Sequence, residues 1–152
     1  MRSWTLGVLL SFALQASCAL AGGTPAFRDP AILENVDKIE LLSVTSEKGT
    51  RMGSIEATSQ VKDKDVPAII ALWRRQTIYD YSPAACHDPS FAIRFYSKGK
   101  VTLFASVCWG CSNIDFMVPA ADSWAGFEGT SPAGQELLSL LKSTFPNKEV
   151  LE

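Results

Sequence analysis

Histidine is nearly absent from this chain. His87 stands alone among 152 residues, and cysteine occurs only four times. A His-x₃-His pair and a second Cys-x-x-Cys are therefore missing, and with them the complete ligand sets of the common zinc modules. An excess of positive charge is missing too. Fourteen Lys and Arg face sixteen Asp and Glu, the formal net charge is −2, and no run of like charge occurs. Nucleic acid is accordingly not an expected partner. The sequence has no internal repeat, no low-complexity tract and no Asn-x-Ser/Thr sequon. It has one long apolar run, over residues 4–14, which is too short to cross a bilayer. No stable membrane insertion of the mature chain is expected.

That run has the form of an export signal. Arg2 supplies the positive end, residues 4–14 the apolar core, and Ala19-Leu20-Ala21 the small residues that precede cleavage. Residues 1–21 are expected to be a signal peptide cut before Gly22. Lipoprotein processing at Cys18 is the competing reading, although Gln15 stands where a lipobox carries an aliphatic residue. Residues 22–36 form an irregular N-terminal segment rich in Gly, Pro and Ala, and residues 37–152 a single domain large enough for its own core. The expected location is periplasmic or secreted.

The domain reads as α+β. Ile39, Leu41 and Ser43 alternate with Glu40, Leu42 and Val44 as in a strand, residues 47–50 are turn-like, and residues 53–61 read as a second strand. A helix is expected over residues 65–81, capped by Asp65, with Pro67 in its first turn and Val66, Ile69, Ile70 and Trp73 on its buried face. Phe91, Ile93 and Phe95 alternate with Ala92, Arg94 and Tyr96. They lead through Ser97-Lys98-Gly99-Lys100 into a return strand carrying Val101, Leu103, Ala105 and Val107. Ile114, Phe116 and Val118 suggest a further strand, and residues 121–130 a loop holding Trp124 and Phe127. The second helix starts at Ser131-Pro132, carries Leu137, Leu138 and Leu141, and stops at Pro146. The order β-β-α-β-β-β-α implies an antiparallel sheet of about five strands with two helices packed on one face. Trp73, Leu137 and Leu141 are expected to lie deep beneath them.

Chemistry concentrates in Cys86-His87-Asp88-Pro89 and Cys108-Trp109-Gly110-Cys111. Pairing Ser97 with Lys100 and extending the register brings Cys86 opposite Cys111, with Pro89 interrupting the ladder between them. Cys108 and Cys111 are an odd number of residues apart and would face opposite sides of an unbroken strand. The three sulfurs meet only if the chain turns at Trp109-Gly110, a turn that Gly110 would allow. A structural disulfide, Cys86 with Cys111 (or with Cys108), is the favoured reading in an exported chain, Cys86–Cys111 before the other, and leaves one thiol over. A Zn or Cu(I) site built from Cys86, Cys108, Cys111 and His87 is the alternative, and a redox centre is the third. Against the redox centre, Cys-x-x-Cys here follows a strand, whereas thioredoxin-like motifs open a helix. Ser112, where c-type haem attachment needs histidine, excludes that cofactor. His87 beside a thiolate would be a nucleophile–base pair, but no orienting acid beyond Asp88 and no substrate motif accompanies it. No catalytic residue is therefore assigned. Arg94 reads as an ion-paired surface residue, and Trp109 and Trp124 as packing.

The segments Cys86-His87-Asp88-Pro89-Ser90-Phe91-Ala92-Ile93-Arg94-Phe95 and Val107-Cys108-Trp109-Gly110-Cys111-Ser112-Asn113-Ile114 together resemble a pattern in uncharacterised bacterial exported proteins, Cys-x-x-Pro followed by Cys-aromatic-x-Cys. The resemblance implies a single exported domain and brings no activity with it. The chain is expected to be a non-enzymatic interaction domain with a structural thiol cluster and no cofactor, acting on another protein.

Overall fold

The computed structural model describes residues 29–47, 52–80, 86–118 and 123–150. The expected leader, Cys18 and its processing lie outside them. Strand β4 (Phe91–Ser97) and strand β5 (Lys100–Cys108) form the hairpin at the centre of the sheet. Their turn places Lys98 at φ 51° and Gly99 at φ 76°. Two consecutive left-handed residues match the twist of the flanking strands, which is why a two-residue loop suffices. The register begins as expected at Ser97↔Lys100 and then shifts by one residue at a bulge beside Phe95 and Tyr96.

Around this hairpin lie β1 (Lys38–Val44), β2 (Ile55–Gln60), β3 (Ile78–Asp80), β6 (Asn113–Val118) and β7 (Ser123–Phe127). The sheet runs β2-β1-β4-β5-β6-β7-β3 and is antiparallel throughout. Among the described residues it has seven strands, not about five. The two additions are β3, expected as the end of the first helix, and β7, expected as loop. Helix α1 (Val66–Arg74) stops early because Gln76 turns back. Its Nε2 donates to Leu72 O at 2.9 Å and to Ala133 O at 3.0 Å. The chain then continues through Thr77, Ile78 and Tyr79, β-branched and aromatic residues that suit a pleated surface. They pair with β7, where Ala125 and Phe127 reach the core and Gly126 lies opposite Tyr79. A Cβ on Gly126 would run into the Tyr79 ring, so Gly126 gives that ring its place across β7.

Both helices pack on one face. Val66, Ile69, Leu72 and Trp73 of α1 join Leu137, Leu138 and Leu141 of α2 (Pro132–Thr144) in one cluster. The sheet contributes Ile39, Leu41, Phe91, Ile93, Phe95, Leu103, Ala105, Val107, Ile114 and Phe116 to it. Burying each of these leucines contributes about 1.5–3 kcal/mol. Trp73, Leu137 and Leu141 are among the most buried, as their spacing implies. Asp65 occupies the cap position of α1, but its side chain makes no capping bond among the described residues. Ser131 does cap α2, its Oγ accepting from Gly134 N at 3.0 Å.

Gly134 is also where α2 docks. A Cβ there would lie 2.6 Å from Gly129 O and 2.8 Å from Glu128 O, both backbone atoms with little room to yield. Gly134→Ala is expected to cost about 1–3 kcal/mol despite alanine's better helix propensity. A urea melt showing unchanged or raised stability would contradict that.

The second sheet face carries a small apolar cluster of Leu42, Val44 and Ala92 and a charged array. Tyr96 Oη donates to Glu40 Oε2 at 2.6 Å, Lys38 Nζ lies 2.7 Å from Glu40 Oε1, and Arg94 Nη1 donates to Tyr96 Oη at 3.3 Å. Arg94 Nη1 also lies 3.7 Å from Glu40 Oε2, so Arg94 is ion-paired. Burial raises the Glu40 carboxyl, but the hydrogen bonds from Lys38 and Tyr96, with the charges of Lys38 and Arg94, outweigh it. They hold Glu40 below the usual glutamate range. A depressed folded-state pKa means that the unfolded chain takes up the proton first. The stability from Glu40 is therefore present above the ordinary glutamate pKa of about 4.3 and lost as pH falls through and below it. Chemical denaturation from pH 6 to 3 is expected to show a shallower loss of stability in Glu40→Gln than in the parent. Parallel curves would refute this contribution.

Candidate functional site

Across the strands, alternation puts one row of residues on the second face: Leu42, Ala92, Ser106, Asp115 and Trp124, each opposite the next. Cys108 and Asn113, also opposite one another, form the next row. Ser106, Asn113 and Asp115 are all fully buried. Polar side chains on the non-helical face of a sheet normally meet water. Here a segment of chain covers Ser106 and Asn113.

That segment is residues 86–90. Ser90 O accepts from Val44 N at 3.0 Å, and the Ser46 hydroxyl donates to Asp88, which ties one end to β1. At the other end the Asn113 Nδ2 donates to Cys86 O at 3.0 Å. This fixes the amide, so Asn113 Oδ1 faces His87 Nδ1 and accepts its proton. In the neutral ring Nε2 then accepts the Ser106 hydroxyl, with 2.7 Å between the heavy atoms. The ring also meets Trp124 edge-on at 4.9 Å. Ser106, His87 and Asn113 share the connectivity of a nucleophile, its base and an orienting group. Ser106 has no exposed surface, however, so the array holds chain to sheet and presents no nucleophile.

The three cysteines lie together beside this array. Cys86 Sγ is 2.6 Å from Cys111 Sγ, and the Cys111 N–H donates to Cys108 Sγ at 3.1 Å. Cys86 is exposed, Cys111 half-buried and Cys108 buried, and all three are free thiols. The turn that gathers them closes with Ser112 N donating to Trp109 O at 3.1 Å. Its left-handed residue is Ser112, at φ 52°, not Gly110 as expected. Trp109 points to the helical face and packs edge-on against Phe91 and Phe127.

The contact with Cys111 pushes the Cys86 thiol above the ordinary cysteine range, aided by desolvation and by the charge of Asp88. Desolvation pushes Cys111 up as well, with its hydrogen bond to Cys108, against contrary pulls from Cys86 and the Asp88 backbone. In the reduced chain both groups are therefore thiols at neutral pH, and their reactivity rises with pH.

Among the expected site residues, the structure brings Cys86, Cys108 and Cys111 together. It does not turn His87 toward them, since both ring nitrogens serve Asn113 and Ser106. Among the described residues, no three His, Cys, Asp or Glu side chains form a group that could hold a metal, and no helix is long and apolar enough to cross a membrane. Sequence reasoning missed Ser106, Asn113 and Asp115. Their alternation reads as a wet strand face, and only the absence of Lys and Glu at those positions hints at a cover. The chain matches no family model, and no curated protein or solved structure is significantly similar to it.

Proposed function

We propose that the chain is an exported, non-enzymatic interaction domain in which Cys86 and Cys111 are joined as a structural disulfide. The observation that carries this reading is the 2.6 Å approach of the two sulfurs at the end of a segment already bonded to β1, β5 and β6. A disulfide bond of about 2.05 Å is within a sub-ångström movement of that geometry. Closing it would staple the cover over the buried polar row. The engagement of both His87 nitrogens supports a holding role over catalysis. The partner is another protein. Among the described residues β2 is an edge strand, exposed along all but one of its residues, and its outer backbone groups suit an added strand.

The test is free-thiol titration with peptide mapping and elemental analysis of protein recovered from the periplasm or medium. One free thiol and a Cys86–Cys111 crosslink are expected. Three free thiols with stoichiometric zinc or copper would replace this reading with the metal alternative.

A further inference from the structure

Three thiols make one more than a staple needs, and the position of the third gives it a use. Cys111 lies between the other two, its sulfur against Cys86 on one side and its backbone N–H on Cys108 Sγ on the other. Cys108 is 1% exposed, so reagents in solution do not reach it. Among the described residues the thiol beside it is Cys111, three residues on in a hydrogen-bonded turn.

We infer that Cys111 is the shared sulfur of two alternative disulfides, Cys86–Cys111 and Cys108–Cys111, and that internal exchange between them releases Cys86 as an exposed reactive thiol. This rests on the disulfide reading above. In the step, Cys108 gives up its proton, and its thiolate attacks the Cys111 sulfur. The Cys108–Cys111 bond forms as the Cys111–Cys86 bond breaks. Cys86 departs with the electron pair and takes up a proton. Oxidation state is unchanged, so no outside oxidant takes part. His87 and Asn113 still hold the covering segment after exchange. The freed Cys86 therefore stays at the surface, ready to attack a disulfide of low molecular weight or of another protein.

The experiment starts from full chain oxidised with glutathione disulfide to one intramolecular crosslink. This is incubated natively with N-ethylmaleimide at pH 8 and peptide-mapped over time. The label is expected to accumulate on Cys86 together with a Cys108–Cys111 crosslink, at least about tenfold faster than on oxidised Cys108→Ser, which has no third sulfur to displace Cys86. Cys86→Ser is expected to form the Cys108–Cys111 crosslink directly on oxidation. Equal labelling in parent and Cys108→Ser, or no crosslink in Cys86→Ser, would overturn the exchange and leave the staple standing. Failure of Cys108→Ser to form Cys86–Cys111 would instead overturn the staple. If the buried serine prevents folding, Cys108→Ala serves in its place, since free cysteine packs as a small apolar residue.

Discussion

Oxidised protein carrying Cys111→Ser is expected to lose about 3.5 kcal/mol of unfolding free energy relative to the oxidised parent. The figure follows from the chain entropy that a crosslink between residues 25 apart removes from the unfolded state. It applies only to the crosslinked form. In excess reductant the same substitution exchanges one half-buried thiol for a hydroxyl, and the difference should shrink to within about 1 kcal/mol. Paired urea melts with and without reductant separate the two contributions. A deficit of equal size in both would show that Cys111 acts by packing alone.

Asn113→Ala is expected to be nearly as damaging, at about 2–4 kcal/mol. Asn113 is fully buried and bonds in two directions, to His87 Nδ1 and to the Cys86 carbonyl. Truncating it strands both groups beneath the cover, and each stranded group costs about 1–3 kcal/mol. Ser106→Ala removes a single hydrogen bond, to His87 Nε2, and should cost only about 1 kcal/mol. Loss of the Asn113 amide should also loosen residues 86–90 and speed alkylation of Cys111 in the reduced protein. Denaturant melts that rank Ser106→Ala above Asn113→Ala would mean that the array is anchored elsewhere.

The legible parts of this fold are those where local chemistry and tertiary packing agree. Lys98-Gly99 between two alternating runs specifies a hairpin whatever surrounds it. Ser131-Pro132 ahead of a leucine stripe likewise specifies a helix start. What escaped was set by contacts across the molecule. The end of α1 depends on Gln76 reaching Ala133, which is 57 residues away, and β3 exists because β7 offers it an edge. For the cysteines, the register argument brought Cys86 toward Cys111 although the real register slips at the Phe95–Tyr96 bulge. The juxtaposition survives because side-chain bonds to Asn113 and Ser106, not the β4–β5 ladder, deliver Cys86 to its place. His87 drew attention as a rare residue beside a thiol. Its actual partners are an amide and a hydroxyl, and neither residue type stands out in a sequence.

The buried polar row also settles how β5 and β6 are allowed to pair. In a half-wet sheet a strand that slides by one residue sends its apolar side chains to water and its polar ones into the core, which already disfavours the slip. Here a one-residue slide of β6 would drive Asn113 and the Asp115 carboxylate into the apolar layer under the helices, while Ile114 and Phe116 took their places beneath the cover. There the Asn113 amide would lose its bonds to His87 and the Cys86 carbonyl, and each stranded buried polar group costs about 1–3 kcal/mol. A slide by two keeps the faces correct but carries Asn113 out of reach of His87 and Cys86. Neither misalignment recovers the native bonds. The same side chains that fasten the covering segment therefore make the strand alignment single-valued.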